Sequence, residues 1–185
     1  MRLQADRLAR ATDEAGLTPE QLASAVERTG LEGPRSLRAV ENWLSGRDHP
    51  RCKASDIAKL AQACGVATKD LCRFTSRVMH HRGSSRKARL LADLIRGRAV
   101  DEALNLLTFT TKRAAVNMKK ALNAAIADAE QAEADVTALH VVESRVDEGP
   151  VIKRFRPKDR GRAHPILKRT SHITIGIEER QAGAR

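Results

Sequence analysis

Residues 149–177 read GPVIKRFRPKDRGRAHPILKRTSHITIGI: two β-compatible arms flank a basic tip that is punctuated by Pro and Gly and has almost no apolar core of its own. Between Val151 and His172 stand eight Lys or Arg, at positions 153, 154, 156, 158, 160, 162, 168 and 169, against the single acid Asp159. Such a density of like charge repels itself and predicts an anionic partner. Nucleic acid is the polyanion that fits, because phosphate contacts from Arg and Lys release counterions and give affinity without sequence.

Outward from this stretch the hydrophobic period is close to two. Leu139 and Val141 on one side, and Ile173, Ile175 and Ile177 on the other, alternate with polar or small residues and predict strands of one antiparallel sheet. Pairing from about residue 142 to 157 and back from 162 to 177 gives arms of roughly 50 Å at about 3.3 Å per residue. Arms that long exceed a globule of this size, so the hairpin is expected to project into a groove or tunnel of its partner.

Upstream lie helices. Ser84 can cap one in which Ala88, Leu91, Ala92 and Ile95 make an i, i+3, i+4, i+7 stripe that ends at Gly97. Arg86, Lys87 and Arg89 crowd its first turn, where the helix dipole favours acids, so an outside anion explains them better than helix stability does. Val100, Ala103, Leu104 and Leu107 mark a second helix. Thr111 is expected to cap a long third one with Ala115, Met118, Leu122, Ala125, Ile126 and Ala129 inward and Lys112, Arg113, Lys119 and Lys120 near its start.

The first half is different. Leu3, Leu8, Ala11 and Ala15 are spaced helically up to Gly16. Thr18-Pro19-Glu20-Gln21 has the order of a capped helix start, with Leu22, Ala25 and Val26 behind it. Ser36 is read as the cap of a third helix with Leu37, Val40 and Leu44 inward, Ser55 as the cap of a fourth with Ile57, Leu60, Ala61 and Cys64 inward. Thr68 opens a fifth helix through Leu71, Phe74 and Val78. Residues 76–86, SRVMHHRGSSR, are polar and basic and read as a linker, with its core at 79–83, between a helical bundle at 1–78 and a second domain at 84–185. Within the linker, the pair His80-His81 is read as solvated or phosphate-facing.

Charge divides along the same line. Of 34 Lys and Arg and 23 Asp and Glu in 185 residues, residues 1–75 carry a net +2 and residues 76–185 a net +9. No apolar run is long enough to span a bilayer and no signal-peptide core follows Met1, which predicts a cytoplasmic protein without a membrane partner. Three cysteines, Cys52, Cys64 and Cys72, without a C-x-x-C pair argue against disulfides and structural zinc and read as small apolar residues. No Tyr, one Trp and three Phe leave few platforms for stacking unpaired bases, which disfavours recognition through an RRM or OB surface. With no P-loop, no nucleophile elbow and no His, Cys and carboxylate cluster at metal spacing, the reading is of a protein that is not an enzyme and has no catalytic residues, metal site or cofactor.

SSRKARLLADLIRGRAVDEALNLL, TKRAAVNMKKALNAAIADAE and VDEGPVIKRFRPKDRGRAHPILKRTSHITI, in that order, resemble the bacterial large-subunit ribosomal protein twenty-two family over residues 82–180. Two positions depart from the family pattern: Lys158-Asp159 stands where Arg or His and then a small residue are usual, and Asp128 replaces an Asn. The resemblance implies an α+β fold with three helices on a small antiparallel sheet and a long projecting hairpin at about 142–177. It implies a structural constituent of the large ribosomal subunit that binds 23S rRNA, supports assembly and lines the nascent-peptide exit tunnel. Its partners would be that RNA, neighbouring large-subunit proteins and, at the tip, the nascent polypeptide. By matching positions, Ser84, Lys87, Arg89 and Arg96 would meet RNA from the first helix, and Lys112, Arg113, Lys119 and Lys120 from the third. Along the hairpin these would be Lys153, Arg154, Arg156, Arg160, Arg162, Lys168, Arg169, Ser171 and His172, with residues 153–162 closest to the tunnel.

In the first half, LTPEQLASAV, SLRAVENWLSGRDHP and ASDIAKLAQACGV resemble the helix-turn-helix of Cro- and repressor-type DNA-binding domains. That resemblance implies an all-α bundle of about five helices whose nucleic-acid face would be Arg35, Ser36, Arg38 and Asn42, with Gln21 at the preceding helix start. The connection ERTGLEGPR is longer than the usual tight turn. A sequence-specific DNA-binding regulator acting through residues 1–78 is the alternative function, with DNA as its partner.

Overall fold

The computed structural model describes residues 1–180 and divides the chain into two compact units, Met1–Phe74 and Thr75–Arg185.

In the first unit a short strand β1 (Arg2–Leu3) leads into α1 (Ala5–Ala15), which Gly16 closes at φ 62°. Next comes α2 (Pro19–Val26), with the start its sequence predicts: Gln21 N donates to Thr18 Oγ1 and Thr18 N to Gln21 Oε1, with Pro19 in the first turn. After it come α3 (Pro34–Leu44), α4 (Ala54–Cys64) and the single turn α5 (Thr68–Leu71). Leu8, Leu22, Val26, Val40, Trp43, Ile57 and Leu60 form the core.

Three expectations here need correction. Ser36 does not cap α3: the helix starts at Pro34, and Ser36, 1% exposed, turns its hydroxyl back to the Gly33 carbonyl. The buried stripe is therefore Ser36, Ala39, Val40 and Trp43 in place of Leu37, Val40 and Leu44. Asp56, not Ser55, satisfies the start of α4, its carboxylate accepting from Lys53 N. The fifth helix stops at Leu71, and β2 (Cys72–His81) replaces both the rest of it and the first part of the expected linker. Leu3 pairs with Cys72 and Arg2 with Arg73, a partnership far off in sequence that overrides the local helical spacing.

The second unit continues β2 and adds α6 (Ser85–Ile95), α7 (Val100–Phe109), α8 (Ala114–Glu130), β3 (Leu139–Glu148), β4 (Ile152–Pro157), β5 (Ala163–Lys168) and β6 (Ser171–Glu179). α8 begins after Arg113, not at Thr111. The central strand β6 lies between β2 and β3 and pairs antiparallel with β3, from Leu139 opposite Glu179 to Glu148 opposite Ser171. Its Ile173, Ile175 and Ile177 are fully buried, α6 packs on β3 and α8 on β6. The stripe Ala88, Leu91, Ala92, Ile95 is the buried face of α6.

The two arms of the hairpin form two ladders instead of one. Beyond Glu148 and Ser171 the pairing resumes at Ile152 opposite Lys168 and runs to Pro157 opposite Ala163. Three residues, 149–151, stand against two, 169 and 170. The extra residue marks a waist of the kind a β-bulge makes, where the register shifts by one between the ladders.

Candidate nucleic-acid interface

Residues opposite one another in an antiparallel pair point to the same side. The register therefore gives the outer ladder two unlike faces. Ile152, Arg154 and Arg156 share one face with His164, Ile166 and Lys168. Lys153, Phe155 and Pro157 share the other with Ala163, Pro165 and Leu167. One face is cationic, the other mainly apolar, and neither carries an acid. All of these residues are exposed, Phe155 to 76%, except the half-buried Ile152.

At the tip, Arg162 N donates to the Asp159 carbonyl and Lys158 N to the Arg162 carbonyl, so Lys158 and Asp159 together oppose Arg162. Arg160 at φ 56° and Gly161 at φ 69° take the left-handed conformation that a two-residue hairpin turn demands. The Lys158-Asp159 departure thus falls on the bulged side of the turn, and the three cations Lys158, Arg160 and Arg162 crowd it.

α6 holds the hairpin root along its length. Ser85 Oγ donates to Glu148 Oε1 at 2.9 Å, Arg89 Nε to the Val146 carbonyl at 3.3 Å and an Arg96 Nη to the Ser144 carbonyl at 2.7 Å. Arg96 also pairs with Asp93. Arg89 and Arg96 therefore spend at least one nitrogen each on β3. At the waist, Thr170 Oγ1 donates to the Pro150 carbonyl at 2.6 Å.

A cleft of about 630 Å³ lies where β2 ends and α6 and α8 begin. Arg82, Lys87, Lys112 and Arg113 line it with Ser84, Leu90 and Ala114, and no acid does. Lys87, Lys112 and Arg113 are the expected cations of this region, and Arg82, from the expected linker, joins them. His81, expected to be solvated or phosphate-facing, is instead buried, with its Nδ1 2.6 Å from Asn117 Nδ2. Burial, with the Arg113 charge beside it, pushes its pKa below the ordinary 6.5. Both effects favour the neutral ring, whose Nδ1 can accept from the Asn117 amide.

Other expected contacts lie elsewhere. Lys119 donates to Thr108 Oγ1 and Lys120 is exposed. Ser171 is fully buried, and His172 accepts from His80 N through Nδ1, their rings 4.8 Å apart edge to face. Both belong to the sheet, not to the exposed ladder. In the first unit, Arg35 and Arg38 are exposed on α3, whereas Gln21 is engaged in its helix cap, Ser36 is buried and Asn42 Nδ2 donates to the His49 carbonyl at 2.8 Å. Among the described residues no helix is long and apolar enough to cross a membrane, and no group of three or more His, Cys, Asp or Glu could hold a metal ion. The three cysteines form no disulfide among the described residues; Cys52 and Cys72 are buried and Cys64 is half-buried.

A family model described as Ribosomal protein L22p/L17e matches residues 76–178, more than half of the chain, taking in the hairpin with its root and its cleft. The chain belongs to the ribosomal protein L22p/L17e family, a family of structural, non-enzymatic proteins of the large ribosomal subunit.

Proposed function

We propose that the chain is an rRNA-binding component of the large ribosomal subunit that binds 23S rRNA, supports subunit assembly and lays its hairpin along the nascent-peptide exit tunnel. It acts in the cytoplasm, on the ribosome, beside neighbouring large-subunit proteins. The observation that carries this reading is the outer ladder: exposed on both sides, cationic on one face and free of acids on either. Phosphates on Arg154, Arg156 and Lys168 offset a self-repulsion that nothing in the ladder itself relieves. Arg160, Arg162, Lys153 and Arg169 extend this contact around the tip and the arms. Lys87, Lys112 and Arg113 form a second contact at the cleft, with Ser84 in its lining, and Lys119, Lys120, Arg89 and Arg96 add contacts elsewhere. The apolar face with Phe155, Pro165 and Leu167 is then the one left for the tunnel lumen and the nascent polypeptide.

Co-sedimentation with large subunits through a sucrose gradient tests the reading. The full chain is expected to stay with the subunit in both low and high salt. Release from the subunit in both would remove the ribosomal assignment.

A further inference from the structure

The first unit has a basic groove of its own, outside the family match. Its volume is about 500 Å³, and it lies between the outer face of α3 and the segments around residues 28–31 and 49–53. Asn42 Nδ2 on the His49 carbonyl and Trp43 Nε1 on the Pro50 carbonyl, at 2.8 and 2.7 Å, pin the far wall to α3. Four cations line the groove, Arg28, Arg35, Arg38 and Lys53, and no acid does. Arg28 is neutralised by the buried Asp56 at 3.1 Å. Arg35, Arg38 and Lys53 are exposed and make no ion pair among the described residues. Three unbalanced like charges around one groove in a unit of net charge only +2 gain the fold nothing and favour an anion.

The chemistry of the lining narrows that anion. Trp43 behind the groove is 2% exposed and no Phe, Tyr or Trp lines it, so the imidazole of His49 is its one aromatic ring for stacking unpaired bases. Adenine goes unread, because that takes a free Asn or Gln amide, and those of Asn42 and Gln21 are fixed by intramolecular bonds while Ser36 is buried. Arg35 and Arg38 keep guanidinium forks, which fit phosphate oxygens. What the groove offers is positive charge with no acid in its lining, which suits phosphates.

We propose that the first unit holds the phosphate backbone of RNA in this groove through Arg35, Arg38 and Lys53. RNA is the polyanion such a groove meets, because the same chain carries a large-subunit ribosomal unit. The groove thus gives the chain a further RNA contact, outside the ribosomal unit. This inference goes beyond the reading of the ribosomal unit but rests on it for the identity of the polyanion, and the variants below separate the two.

The test uses the full chain, a short RNA duplex of arbitrary sequence as probe, and affinity measured across a KCl series. Arg35→Gln/Arg38→Gln/Lys53→Gln is expected to lower the log–log salt slope by about 2.1 to 2.7, at about 0.7 to 0.9 per lost phosphate contact. Arg35→Lys/Arg38→Lys is expected to keep the slope, since backbone contacts need charge more than geometry. A slope unchanged in the triple variant overturns the groove. So does binding to DNA duplexes that depends on their sequence and is abolished by the triple variant, which would make this a base-reading face. Arg154→Gln/Arg156→Gln on the hairpin is the reference: if only that pair moves the slope, the groove fails and the ribosomal reading stands. If only the triple variant moves it, the hairpin contact fails and the groove stands.

Discussion

Gly149 and Thr170 face each other across the waist of the hairpin so closely that no other residue fits at 149. The Gly149 amide donates to the Thr170 carbonyl at 2.9 Å, and a β-carbon on Gly149 would lie 2.5 Å from Thr170 Oγ1 and 3.1 Å from His172 Nε2. Thr170 Oγ1 cannot swing away without giving up its bond to the Pro150 carbonyl. Both partners are therefore fixed, and the close approach at the waist depends on the missing side chain.

Gly149→Ala is accordingly expected to destabilise the protein by about 1 to 3 kcal/mol, the range for overpacking a fixed site. Thr170→Ala removes the hydroxyl that the new methyl would strike, so the double variant is expected to lose less than the sum of the singles. Denaturant melts of the four proteins measure this. Strict additivity would mean that the two residues do not share the contact.

At the tip the turn and the charge can be separated. Gly161 has φ 69°, and a β-carbon added there would meet nothing within 4 Å, so Gly161→Ala costs conformational strain alone. That strain is about 1 kcal/mol or somewhat more for a side chain in the left-handed region. The loss is expected in hydrogen exchange of the amides of β4 and β5, with the main sheet unaffected. Arg160 also has a positive φ, which Asn tolerates. Arg160→Asn should therefore keep the exchange pattern yet lower the salt slope of RNA binding by about 0.7 to 0.9. Faster exchange in Arg160→Asn would show that the side chain supports the turn itself.

The two faces of the outer ladder give the sharpest contrast. Arg154→Gln/Arg156→Gln is expected to lower the salt slope of rRNA binding by about 1.4 to 1.8, whereas Phe155→Ser leaves it in place. Measured on the same rRNA fragment, equal effects from the two variants would mean that RNA wraps both faces and that the apolar side is not free for another partner.

Much of this is legible in the sequence where one segment settles its own structure. Ala88, Leu91, Ala92 and Ile95 declare α6 because a 3.6-residue period needs no partner, and Thr18 with Gln21 declares the start of α2 for the same reason. β2 is not legible: Leu71, Phe74 and Val78 fit a helical face as well as Cys72 and Phe74 fit a strand, and the pairing of Cys72 with Leu3 decides between them. The basic hairpin can be read from composition, but its two faces cannot, since they depend on one extra residue at the waist. Nor can the fates of Asn42 and Ser36, whose polar atoms are taken up by a carbonyl seven residues ahead and one three residues behind.

His81 gives the fold a pH dependence whose direction follows from its burial. Its pKa in the folded protein lies below the ordinary 6.5, chiefly because burial disfavours the charged ring and secondarily because of Arg113. Between those two values the unfolded chain binds the proton and the folded one does not, so protonation favours unfolding. The contribution of His81 is fully present above about pH 6.5 and falls as the pH drops toward the folded pKa. His81→Gln keeps a hydrogen-bonding side chain at Asn117 and removes the titration. Its stability is expected to fall less than that of the parent between about pH 7 and about pH 5, because every other titrating group is common to the two proteins. Identical pH profiles in denaturant melts would show that His81 takes up its proton as readily folded as unfolded, and that the neutral ring bound to Asn117 is not the state that holds the cleft wall.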